Sequence, residues 1–167
     1  IKRWPQRVDG LMLLCPCVVA DRTKRDRPNH VVLKEDKELL AELDPKSAEE
    51  FGSIAVVQNE TIWQRFRDEI LCGDLLADAE RLNDIQNTRY EFSFDVDKVD
   101  RSFAKPSLML LGRQDASVGY KDAWKILDNY PRATFAVLDR AGHNLQLEQE
   151  ELFNRLVGEW LDRVEEF

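Results

Sequence analysis

The amino-acid sequence predicts an α/β fold: parallel strands with flanking helices, interrupted by a long, mainly helical insertion. Short uninterrupted apolar runs occur at Gly10–Cys15 (GLMLLC), Ser107–Leu111 (SLMLL) and Thr134–Leu138 (TFAVL), the pattern of strands covered on both faces in a parallel sheet. Helical periodicity follows the second and third runs, and alternating strands and helices imply parallel pairing through right-handed crossovers. Between the first and second runs, Ala20–Ala104 differs in kind, with 20 acidic and 13 basic residues that account for nearly all of the net charge of −8.

Each element has its own local signal. Pro16 closes the first run, Lys105-Pro106 precedes the second and Gly112 ends it, and Pro131 precedes the third. Ile1–Arg7 (IKRWPQR) has the look of the tail of a helix. In the insertion, helices are expected at Asp36–Leu43, Ser47–Ile54, Thr61–Ile70 and Leu75–Ile85, with breaks at Asp44-Pro45 and Gly73. Tyr90–Phe94 (YEFSF) alternates apolar and polar residues, which suits a short strand. After the second run, Tyr120–Tyr130 places Ala123, Trp124, Leu127 and Tyr130 on one helical face. After the third, Glu148–Val164 sets Leu152, Phe153, Leu156, Val157, Trp160, Leu161 and Val164 at helical spacing opposite Glu151, Asn154, Arg155, Glu159 and Asp162. The expected division is therefore a core of 1–19 and 105–167 with an insertion at 20–104.

Composition narrows the functions. An acidic chain of pI ≈ 4.9 is repelled by nucleic acid and by anionic membrane surfaces, so neither is an expected partner. The longest apolar stretch, Leu11–Ala20, contains a proline and is too short to span a bilayer. Cys15, Cys17 and Cys72 make no disulfide framework and no metal-ligand pairing; Cys15 and Cys17 suit small buried hydrophobes. A cytoplasmic setting is expected, with no cofactor and no metal.

Reacting groups in parallel sheets collect beyond the carboxyl ends of the strands. Asp115 lies just past the second run and His143 just past the third. If those strands are neighbours they run about 4.8 Å apart, so the two side chains can meet. A carboxylate touching an imidazole is the orienting half of a nucleophilic triad. Each residue also has a plainer role: an aspartate after a strand commonly caps a turn, and Gly142 beside the histidine suits a positive φ. His30, in a polar stretch, is expected at the surface. Trp63 and Phe66, three apart on one helical face, suit either an ordinary core or the apolar roof of a substrate pocket.

The segments Lys105–Asp115 (KPSLMLLGRQD) and Asp139–Leu145 (DRAGHNL), the C-terminal helix ending in Glu159-Trp160-Leu161, and Val8–Leu14 (VDGLMLL) together resemble the α/β-hydrolase superfamily. The resemblance implies the C-terminal part of that fold, with Asp115 and His143 as triad acid and base and 20–104 as a helical cap (lid). Some members carry the acid after the strand preceding the cap, where Asp21 stands; contact with the base favours Asp115. The family's nucleophile elbow, typically Gly-x-Ser-x-Gly, has no counterpart here, since no two of the glycines at 10, 52, 73, 112, 119, 142 and 158 flank a nucleophile at that spacing. The nucleophile is accordingly expected before Ile1. The first strand would then offer an unpaired edge, with the missing N-terminal half of the fold or another chain as partner along residues 10–15.

The implied function is hydrolysis of an ester, amide or related carbonyl in a small-molecule substrate. The competing reading is a non-catalytic binding or regulatory protein that keeps the fold without a nucleophile.

Overall fold

A computed structural model describes residues 1–167. Three strands, β1 (Leu11–Leu14), β2 (Ser107–Gly112) and β3 (Ala133–Leu138), form one sheet in the order β1-β2-β3. Both pairings are parallel, with Leu11 opposite Ser107 and Gly112 opposite Leu138. The central strand is the anchor. Leu108, Met109, Leu110 and Leu111 have no exposed surface, and full burial of an aliphatic side chain contributes about 1.5–3 kcal/mol.

Because strand side chains alternate, β2 feeds two cores. Leu108 and Leu110 pack with Cys15, Val118, Leu138, Ala141 and Leu145 under the helix α8 (Glu150–Glu165), while Met109 and Leu111 pack with Ala123 on the opposite face. The indole N–H of Trp160 donates to the Pro106 carbonyl at 3.2 Å, and the Arg163 guanidinium donates to the Ser107 and Arg132 carbonyls, fixing α8 at the start of β2.

Only β2 matches the expectation of strands covered on both faces. β1 and β3 are half-buried because each has a neighbour on one side alone. Leu11 donates its N–H to the Pro106 carbonyl just before β2, and Cys15 donates to Leu110 within it; backbone direction alternates along a parallel strand, so Met12 and Leu14 turn theirs outward along an edge with no partner in the chain.

The insertion is helical: α1 (Lys37–Glu42), α2 (Pro45–Ile54), α3 (Glu60–Phe66), α4 (Cys72–Leu76) and α5 (Ala79–Thr88). Side-chain caps set four of its starts. Asp36, Asp44, Asn59 and Asp78 each accept the N–H three residues on, and Pro45 occupies the first turn of α2. The insertion has its own core around Phe51, Val56, Trp63 and Phe66, and Leu147 from beyond β3 joins it.

Several expectations are corrected. Gly73 lies inside α4, and the break falls at Ala77-Asp78, where the Asp78 cap starts a new helix. Tyr90–Phe94 is not a strand: it has no strand beside it to pair with, and Phe92 and Phe94 are exposed. Ile1–Arg7 forms a single 3-10 turn at Pro5–Arg7 rather than a helical tail. Tyr120–Tyr130 splits into α6 (Lys121–Trp124) and a 3-10 turn at Leu127–Asn129. Helical period is lost at that split, so Ile126 is buried and Trp124 is 62% exposed, its ring edge-on to Phe135. The last helix is likewise interrupted at Gln149, leaving α7 (Leu145–Glu148) ahead of α8, on which Leu152 and Leu161 are exposed. Cys17 is exposed rather than buried. No helix is long and apolar enough to cross a membrane.

Candidate active site

β2 and β3 end side by side, and the loops beyond them bring Asp115 and His143 together. His143 Nδ1 lies 2.9 Å from Asp115 Oδ2. The other carboxylate oxygen, Oδ1, accepts the backbone N–H groups of Ser117 and Val118 at 2.8 and 3.0 Å. Asp115 thus fills the turn role and the histidine-orienting role at once, one oxygen to each.

Asp115 is wholly buried, whereas about a third of the His143 side chain is open to solvent. Burial pushes the Asp115 carboxyl up, but the hydrogen bond and charge of His143, with the two backbone N–H bonds, outweigh it and hold Asp115 below its ordinary value. An ionised carboxylate can only accept, so when the imidazole is neutral its proton sits on Nδ1 and the lone pair is on Nε2. The arrangement suits a general base.

The Asp115 loop is clamped from outside. Arg25 donates to the Ser117 carbonyl, and also to those of Val19 and Ala20, while Arg27 donates to the Ala116 carbonyl. The buried Asp122 carboxylate accepts the N–H of Asp26. With their carbonyls held outward, Ala116 and Ser117 leave the following N–H groups to face Asp115.

The His143 loop depends on close backbone approach. A Cβ on Gly112 would stand 2.1 Å from the Gly142 carbonyl oxygen, and one on Gly142 would stand 2.9 Å from Val56 Cγ2. Gly142 does not have the positive φ expected of it; Arg140 does, at 55°. Glycine is required at 142 by the nearness of Val56 instead.

Two further residues belong to this centre. Cys15, at the end of β1 with φ 40°, is buried with its thiol donating to the Gly142 carbonyl at 3.8 Å. Its Sγ, an Asp115 oxygen and a His143 nitrogen lie within 4.8 Å of one another. These are ligand types for a soft metal, yet the 2.9 Å contact between Nδ1 and Oδ2 would have to open to admit an ion. Burial and the neighbouring Asp115 carboxylate push the Cys15 thiol far above its ordinary range, so it is a neutral thiol. Glu148 accepts the N–H groups of Val56, Val57 and Gly142 at 2.6, 3.3 and 2.5 Å. Burial outweighs these bonds and raises its carboxyl above the ordinary range.

The other candidates lie elsewhere. Asp21 is near the surface, capping a 3-10 turn through Thr23 and pairing with Lys24, and His30 is exposed. Trp63 and Phe66 are buried against Phe51 with ring centroids 5.4 and 5.3 Å from it. Their surfaces are spent on the core of the insertion, the plainer of the two roles that their spacing allows. A surface cavity of about 590 Å³ is lined by Ala20, Asp21, Arg22, Arg25 and residues 86–91, not by Asp115 or His143.

A solved α/β-superfamily hydrolase from Oenococcus oeni PSU-1 superposes on 93% of the chain with a TM-score of 0.82 and 26% identity. The fold is the C-terminal part of an α/β-hydrolase. The chain covers 58% of the Oenococcus protein. A serine hydrolase from Cycloclasticus zankles (TM-score 0.54, 18% identity) and a proline iminopeptidase-related protein from Thermus thermophilus (0.53, 22%) share the fold over 96% and 97% of the chain, which again covers 58% of each. No protein-family model and no curated protein sequence matches it.

Proposed function

We propose that the chain is the acid-and-base part of a hydrolase that attacks an ester, amide or related carbonyl through a nucleophile–His143–Asp115 triad. The observation that carries this reading is the 2.9 Å contact between His143 Nδ1 and a buried Asp115 whose second oxygen is already occupied. That geometry fixes the imidazole tautomer and would stabilise the imidazolium formed when Nε2 takes a proton from the nucleophile. The nucleophile itself comes from outside residues 1–167. Residues 20–104 serve as a cap over the sheet edge, and substrate lies between the two.

The outward-facing backbone groups of Met12 and Leu14 support a strand partner beside β1, either the remaining half of the fold or another chain. Leu14→Pro removes an outward donor while sparing the bonds to β2, so it should weaken any such association seen by sedimentation.

A serine-directed fluorophosphonate probe tests the catalytic reading. The 167-residue chain alone should take no label, whereas the polypeptide extended by its upstream coding sequence should be labelled, and His143→Ala in that polypeptide should abolish labelling. Undiminished labelling of His143→Ala would overturn the triad. No labelling of the extended protein would favour a non-catalytic binding protein, the reading suggested by the lack of a Gly-x-Ser-x-Gly elbow in these residues.

A further inference from the structure

Glu148 is a half-buried carboxylate for which the proposed chemistry has no use. Its three donors come from two separate parts of the chain. Val56 and Val57 belong to the insertion, some ninety residues away, and Gly142 is the residue before His143. The short helix that carries Glu148 is shared in the same way: Leu145 is buried in the sheet core and Leu147 in the core of the insertion. Arg65 of α3 adds a hydrogen bond to the Gln146 carbonyl and an ion pair with Glu150. The Gly142 residue is meanwhile held on three sides, by Glu148 at its N–H, by the Cys15 thiol at its carbonyl, and by Gly112 in backbone contact.

We propose that Glu148 is a positioning residue for His143: one carboxylate joins the Val56-Val57 segment to the N–H of Gly142, the residue before the histidine, so that the seat of the helical insertion sets the place of the imidazole. The inference rests on His143 being the base. It adds a means of regulation, because a ligand or partner that shifts the insertion would move His143 through Glu148 without touching it. The carboxylate suits this task. Each of its oxygens serves a different segment, Oε1 the insertion and Oε2 the His143 loop, and an acceptor-only group can hold both at once. A carboxamide has one oxygen and turns N–H donors toward the other side.

The test is Glu148→Gln in the 167-residue protein, followed by NMR. Two signals are read: amide hydrogen exchange at Val56 and Val57, and the Nδ1–H resonance of His143 donated to Asp115. Both should change together, with exchange at one or both valines faster by about tenfold or more and the Nδ1–H signal broadened or lost. Should Glu148→Gln fail to fold, Glu148→Asp, one methylene shorter, is read in the same way and should give the smaller change in both signals. Faster valine exchange with an unaltered Nδ1–H resonance would reduce Glu148 to a structural tie and overturn the proposal, as would two unaltered signals. Neither readout involves turnover, so a protein that hydrolyses nothing still decides the role of Glu148.

Discussion

Asp115 meets His143 with Oδ2 while Oδ1 is held by the N–H groups of Ser117 and Val118. The acid therefore cannot rotate to serve the histidine differently without leaving two backbone donors unpaired. The contact with His143 and the local fold are bound into one side chain.

Asp115→Asn should separate the two. The amide oxygen can take over the backbone bonds, but the amide nitrogen then faces Nδ1 and demands the wrong imidazole tautomer. In a polypeptide that also carries the proposed nucleophile, we expect turnover to fall on the order of 10³–10⁴-fold with the fold retained. Asp115→Ala, which leaves both donors unsatisfied, should cost about 1–3 kcal/mol for each buried group. Urea unfolding in which the alanine variant is no less stable than the asparagine variant would sink this account.

The same carboxylate should govern acid stability. Its folded pKa is lowered, so its contribution is fully present above the ordinary aspartate value of about 3.9 and is lost as pH falls through the lower folded value. Glu148 acts in the opposite sense: with a raised folded pKa, its contribution is present below about pH 4.3 and is lost as pH rises through that folded value. Unfolding free energies measured at stepped pH should show the gap between wild type and Asp115→Asn closing below about pH 4. A gap that is constant across that window would be the contrary result.

Gly112 and Gly142 should not tolerate alanine equally. A methyl at 112 meets backbone at 2.1 Å, which cannot move without shifting the His143 loop, whereas one at 142 meets the Val56 side chain at 2.9 Å. We expect Gly142→Ala to cost about 1–3 kcal/mol and Gly112→Ala more. The check is thermal or urea unfolding of both variants, and the reverse order would show that the Val56 seat is the stiffer of the two.

Thiol chemistry should distinguish the three cysteines. Cys17 and Cys72 are exposed and Cys15 is buried with a raised pKa. A disulfide reagent at neutral pH should therefore modify two thiols in the folded protein and three in denaturant. Rapid loss of all three under native conditions would mean that β1 opens readily at its outer edge.

The strands were legible because each is a short apolar run bounded by proline or glycine, and Asp115 and His143 were legible because parallel strands bring their carboxyl ends to one side. Trp124 was misread for a physical reason: helical periodicity assumes a continuous helix, and α6 lasts one turn. Tyr90–Phe94 alternates correctly for a strand, but alternation is necessary rather than sufficient when no neighbour supplies hydrogen bonds. Trp63 and Phe66 have the spacing of a helical stripe, which does not reveal whether Phe51 or a ligand covers it. Cys15 was legible as a small buried hydrophobe, but not as a neighbour of Asp115. Glu148 gave no signal at all, because its partners are distant in the chain and nothing about Leu-Glu-Gln distinguishes a tied acceptor from a surface one.

The clamps at Arg25, Arg27 and Asp122 have a consequence for how this molecule can diversify. They secure the first residues of the insertion to the Asp115 loop, while Val56-Val57 secures its middle to Glu148. What lies beyond those anchors, above all α4, α5 and the exposed residues 90–96, can be exchanged for chain of another length or chemistry without disturbing Asp115 or His143. New surfaces can be grafted there while the contact between the two stays as it is.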